Sequence, residues 1–171
     1  MVDNNMKMIK KTSALILMMA LLFGLYGIAQ AANTATQDVS YQVTDINAIS
    51  VSGDPETLII NTAEAGYLPY AATDNTTTYS ITTNGATKKI TAKIDSDMPA
   101  GLDLKVYLNA PSVSGASAGG GSLTTAELDV VTGISPVVAS GIAIRYELHP
   151  VSTTLAPTSG TRTVTFTLTD Q

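Results

Sequence analysis

Apolar and polar residues alternate with period two through most of the chain after its first thirty residues. Leu102-Asp103-Leu104-Lys105-Val106-Tyr107-Leu108-Asn109 alternates for eight residues. Residues 142–149 do the same, and residues 163–169 repeat it near the C-terminus. Successive side chains on a strand point to opposite faces, so alternation over about 4–8 residues predicts a half-buried strand. Leu102, Leu104, Val106, Leu108, Ile142, Ile144, Tyr146, Leu148, Val164, Phe166 and Leu168 are therefore expected to point into one core.

Shorter segments carry the same signal. Val39, Tyr41 and Val43 alternate with Ser40 and Gln42. Leu58-Ile59-Ile60, after the Gly53-Asp54-Pro55 turn, reads as a brief strand. Residues 77–83 and 88–94 flank Asn84-Gly85, the dipeptide most strongly associated with a two-residue hairpin. Residues 123–131 form a further strand with a less regular pattern. No stretch after residue 31 carries a 3.6-residue apolar stripe, and the many threonines suit pleated surfaces better than helices. About eight short strands joined by turns predict an all-β fold. The expected form is a single antiparallel β-sandwich with Greek-key crossings, immunoglobulin-like or jelly-roll-like. A small β-barrel is the alternative. Residues 112–122, with Gly119-Gly120-Gly121, read as a flexible low-complexity loop. Residues 61–75 form a second long connection.

The N-terminus departs from this pattern. Lys7, Lys10 and Lys11 precede an apolar run over residues 14–25, broken only by Gly24, and Ala29-Gln30-Ala31 follows. A basic region, a short apolar core and a small-x-small site form a secretory signal peptide, assigned to residues 1–31. The run is shorter than the roughly 20 residues of a transmembrane helix. Cleavage after residue 31 of 171 leaves 140 residues, one domain over residues 32–171. A lipoprotein anchor is excluded, because there is no cysteine to carry it. The expected location is secreted or cell-surface, with the periplasm as the alternative.

Charge and cysteine content narrow the function classes. The chain holds nine Lys and Arg against fourteen Asp and Glu. Loss of Lys7, Lys10, Lys11 and Asp3 leaves six against thirteen, a net charge of −7. Phosphate neutralisation needs clustered Lys and Arg, so nucleic acid is not an expected partner. An anionic membrane surface is equally unsuited once the signal is cleaved. Zero cysteines exclude thiol nucleophiles, zinc–thiolate sites and c-type haem attachment.

Few residues suggest chemistry. Gly115-Ala116-Ser117-Ala118-Gly119 matches G-x-S-x-G, but that motif acts at a strained strand-to-helix turn. Here more glycines and a β-like segment follow. His149, the single histidine, lies at a strand end with no acid placed beside it by the sequence. Asp95 and Asp97, with Asp103 and Asp54 or Asp129, are oxygen ligands of the kind calcium uses, without EF-hand spacing. Asn75-Thr76-Thr77 is a glycosylation sequon. Tyr67, Tyr70 and Tyr79 are candidates for a sugar-stacking patch. No catalytic residue, cofactor or metal site is assigned, and the chain is not expected to be an enzyme.

An export signal, a short N-terminal arm, a Thr-, Ala- and Gly-rich β domain and the terminal run Gly160-Thr161-Arg162-Thr163-Val164-Thr165-Phe166-Thr167-Leu168-Thr169 together resemble secreted pilus and surface-filament subunits. Unlike many chaperone–usher subunits, the chain has no cysteine pair and no tyrosine near its C-terminus. The resemblance implies a structural or adhesive protein that self-associates into oligomers, filaments or biofilm matrix. It also implies an arm that completes a neighbour's sheet. Val39, Tyr41 and Val43 are the candidate donor strand; the other reading makes them the first strand of their own domain. The alternative function is an extracellular module that binds a glycan or small ligand on its loops.

Overall fold

The computed structural model describes residues 33–153 and 155–171. Residues 1–31, expected to be a signal peptide, lie outside the described residues, and the described chain divides at Gln42. Residues 33–42 carry no strand. Residues 43–171 form one compact unit of ten strands and no helix.

The strands are β1 (Asn47–Val51), β2 (Ala72–Asp74), β3 (Thr78–Thr83), β4 (Lys88–Ile94), β5 (Leu102–Leu108), β6 (Ala116–Ser117), β7 (Gly121–Ser122), β8 (Leu128–Ile134), β9 (Val137–Pro150) and β10 (Val164–Asp170). One sheet runs β1-β3-β9-β5-β7, with β2 beside β3 along the same flank of β9. The other runs β10-β4-β8-β6. Every pairing is antiparallel. Both sheets are open at their edges, which sets aside the barrel.

The two sheets share one apolar cluster. Tyr79 and Ile81 of β3, Val106 and Leu108 of β5 and Ile144 of β9 meet Ile90 and Ile94 of β4 and Val130, Val131 and Ile134 of β8. Of the eleven residues expected in the core, five are buried and Ile142, Leu148, Val164, Phe166 and Leu168 pack against them half-buried. Leu102 alone falls outside the cluster and lines a groove.

No two consecutive strands pair with each other. From β3 onward, every link carries the chain from one sheet to the other. The hairpin expected at Asn84-Gly85 is therefore absent: β3 pairs with β1 and β9, and β4 pairs with β10 and β8. Asn84 continues its sheet with its side chain instead. Its Oδ1 accepts the Ile46 N–H at 2.8 Å, and its Nδ2 donates to the Thr44 carbonyl at 2.8 Å. The chain then turns through Thr87, in the left-handed region at φ 56°.

The glycine-rich segment is also more ordered than its composition implies. β6 pairs with β8 in one sheet and, four residues on, β7 pairs with β5 in the other. Gly120 sits at φ 75° against Tyr107, where an added Cβ would fall 2.1 Å from the ring. Only glycine fits that approach.

Candidate functional site

An apolar groove of about 750 Å³ opens on the 43–171 unit. One wall is residues 57–63, which follow β1; the other is residues 155–160, which lead into β10. Met98, Leu102 and Leu148 also line it. Leu58 and Ile60 are half-buried while Ile59 is 63% exposed. The brief apolar run Leu58-Ile59-Ile60 is the signal read as a strand there. The strand expected there is absent: residues 57–61 belong to no strand and pair with no neighbour among the described residues. Residues 57–61 and 155–160 make no backbone hydrogen bond to any other described backbone. Backbone groups without partners are costly once water is removed. Walls of this kind invite another extended chain.

Arg162 is the single charged residue lining the groove. Its Nε and Nη2 donate to the Asp97 carbonyl at 3.1 and 2.9 Å, which fixes the guanidinium at the groove's rim. Beyond residue 61 the chain forms a small loop closed by the Tyr70 N–H on the Thr62 carbonyl at 3.0 Å. Tyr67 and Tyr70 stand exposed on it, whereas Tyr79 is buried and donates its hydroxyl to the Asn109 carbonyl at 2.6 Å. The three tyrosines therefore do not form one patch.

At the opposite end of β10 the chain is tied together by polar groups. Lys88 is almost buried, and its Nζ bonds Asp170 at 2.6 Å and Asp45 at 3.3 Å. These carboxylates, the Asp170 hydrogen bond foremost, hold the lysine above its ordinary pKa. Asp45 is where the chain enters β1, next to the Asn84 clamp. The Gln171 N–H donates to the Thr87 carbonyl at 3.0 Å, and its Oε1 accepts the Gly133 N–H at 2.8 Å.

Before that clamp lies the candidate donor segment. Residues 34–46 belong to no strand. The side chains are 79% exposed at Val39, 92% at Tyr41 and 75% at Val43. The reading in which they form the first strand of their own domain does not describe this structure, because the first strand begins at Asn47.

The remaining sequence candidates are scattered. Ser117 lies in the two-residue β6, not at a strand-to-helix turn, and its Oγ accepts the Gly119 N–H at 3.4 Å. Asp95 accepts the Thr163 N–H at 3.0 Å and Asp97 the Thr125 N–H at 3.1 Å. Asp129 pairs with Lys89. Asp95 and Asp97 bind backbone N–H groups of neighbouring segments and Asp129 ties β8 to β4, and no group of three His, Cys, Asp or Glu able to hold a metal occurs among the described residues. Asn75 is exposed on the link between β2 and β3. His149 finds a partner that sequence reading missed. Its Nε2 lies 2.8 Å from Glu147, two residues back on the same strand face, and Arg145 pairs with the same carboxylate. Arg145 in turn stacks 4.1 Å over the Tyr107 ring. The His149 hydrogen bond, with the Arg145 charge, holds the Glu147 carboxyl below its usual range against the opposing effect of burial. The alternation at residues 145, 147 and 149 was the available signal for this cluster.

No protein-family model matches the chain, and no curated protein is similar to it in sequence.

Proposed function

We propose that this protein is a secreted or cell-surface structural and adhesive subunit, a β-sandwich with Greek-key crossings that self-associates through its strands. The observation that carries the reading is the segment from Val39 to Val43. It has alternating apolar side chains, it lies outside every strand, and all three of those side chains face solvent. Exposed apolar residues at period two on an unpaired chain suit strand addition to a neighbour's sheet. The absence of any placed nucleophile–base pair in the sequence favours this over catalysis, and the acidic composition argues against nucleic acid and anionic membrane as partners. The signal-like residues 1–31 support export.

A second reading, capture of a small apolar or glycan ligand, is favoured by the groove itself, whose volume lies in the usual range for ligand sites. One experiment separates the two. The full chain is purified and examined by size exclusion and negative-stain microscopy, beside a Val39→Asp/Tyr41→Asp/Val43→Asp variant. Polymers that the variant loses support the structural role. Stable monomers at high concentration defeat it and leave the ligand module.

A further inference from the structure

We propose that the groove between residues 57–63 and 155–160 is the seat for residues 36–44 of a second copy of this chain, giving an open head-to-tail polymer. The inference rests on the self-association reading and adds where the arm goes and in which direction. Three observations carry it.

Along residues 57–61 and 155–160 the groove walls belong to no strand and make no backbone hydrogen bond among the described residues, and the lining is mostly apolar. That is the surface an incoming strand completes. Main-chain hydrogen bonds form along the walls, and alternate side chains fill the space between. Val39, Tyr41 and Val43 supply three alternate apolar side chains of that kind. Charge also matches. Arg162 is the single charged residue at the groove, and Asp38 is the single charged residue within 36–44.

The third observation is the polarity of the domain. The arm's root is fixed at Asp45, which shares Lys88 with Asp170, the last residue of β10. The groove's Arg162 stands just before the first residue of the same strand. Root and groove therefore lie at the two ends of a seven-residue strand, about 20 Å apart at roughly 3.3 Å per residue. A subunit with its plug at one end and its socket at the other makes a heterologous contact. Such contacts repeat into open filaments unless the rotation closes a ring.

Because the chain has no native cysteine, disulfide trapping tests this directly. Full-length Tyr41→Cys is mixed with full-length Ile59→Cys and oxidised. Val138→Cys, also exposed but outside the groove, replaces Ile59→Cys in the control. The expected result is a disulfide-linked dimer from the first pair alone and a ladder of multimers from the double variant. Ile59→Glu should also weaken binding of a synthetic peptide of residues 36–44 at least tenfold. Polymers that form without the Tyr41–Ile59 disulfide would overturn the groove assignment and leave self-association standing. A disulfide formed only within one chain of the double variant would overturn the second copy as occupant. Failure of the unsubstituted chain to assemble at all would overturn both.

Discussion

The two ends of β10 are built from opposite materials. At its C-terminal end, Lys88, Asp45, Asp170, Asn84 and Gln171 fill backbone and side-chain needs across three segments. At its N-terminal end, residues 57–61 and 155–160 face a mostly apolar gap and make no backbone hydrogen bond among the described residues. The difference teaches where this fold closes its polar groups on itself and where it leaves an apolar surface open. Polar ties hold the entry to β1 against the end of β10 through Lys88.

The largest test of this contrast is a carboxylate placed beneath each end. Ile90 is fully buried in β4, near the tied end. Ile90→Asp should abolish the thermal transition, because an unpaired buried carboxylate costs several kcal/mol against a total of about 5–15 kcal/mol. Leu102→Asp, on the groove wall where water enters, should leave a folded protein with a lowered Tm. Equal loss of folding from both would mean that the groove is closed.

Next in size is the amide pair. Asn84→Ala removes two hydrogen bonds of 2.8 Å and should cost about 1–2 kcal/mol in denaturant melts. Asn61→Ala, at the groove, should change stability by no more than about 0.5 kcal/mol. A similar cost at both positions would remove the distinction between the ends.

The pH dependence sharpens the tied end. Lys88 is held above its ordinary 10.5, so its contribution is complete below that pH. It is lost as pH rises through the higher folded-state value. The Tm gap between the native chain and Lys88→Met should then narrow in strong alkali. Burial pushes the Tyr146 hydroxyl up to about 12, which adds to the same alkaline loss in both proteins. Glu147 runs the other way. Its carboxyl lies below the ordinary 4.5, so its contribution is present above 4.5 and is lost as pH falls through the lower folded-state value. Glu147→Gln should flatten the acid side of the Tm–pH curve and leave the alkaline side alone.

The smallest stability effect belongs to Ile59. Ile59→Glu should leave Tm within the error of calorimetry, since the side chain is largely in water. A large drop would show that Ile59 supports the domain and is not a free wall of the groove.

Much of the strand content is legible in the sequence, because alternation survives wherever a strand has one wet face. β5, β9 and β10 are of this kind. β1 is not, since only Ile49 of its five residues is even half-buried and an edge strand needs little amphipathic contrast. Leu58 and Ile60 show the converse: alternation reports one face turned inward and says nothing about hydrogen bonding. The Asn84-Gly85 signal fails for a related reason. It describes a local turn, whereas the Asn84 side chain is recruited by Thr44 and Ile46, some forty residues away. The donor segment could be read as a candidate from its own residues. The groove could not, because its lining joins residues 57–63, 98–102, 148 and 155–162, and no local pattern announces that they meet.

The absence of any pairing between consecutive strands has a consequence for time as well as shape. β9 holds the larger sheet together between β3 and β5, and β10 closes the flank of β4. Neither sheet can be completed until the last quarter of the chain exists. Non-local pairing of this sort is slow, because loop-closure entropy must be overcome before the contacts that compensate for it form. At about 5–20 residues per second of synthesis, the β1–β3 pair spends seconds waiting for β9, its next neighbour in the sheet. A chain with that schedule completes both of its sheets only after β9 and β10 have been made.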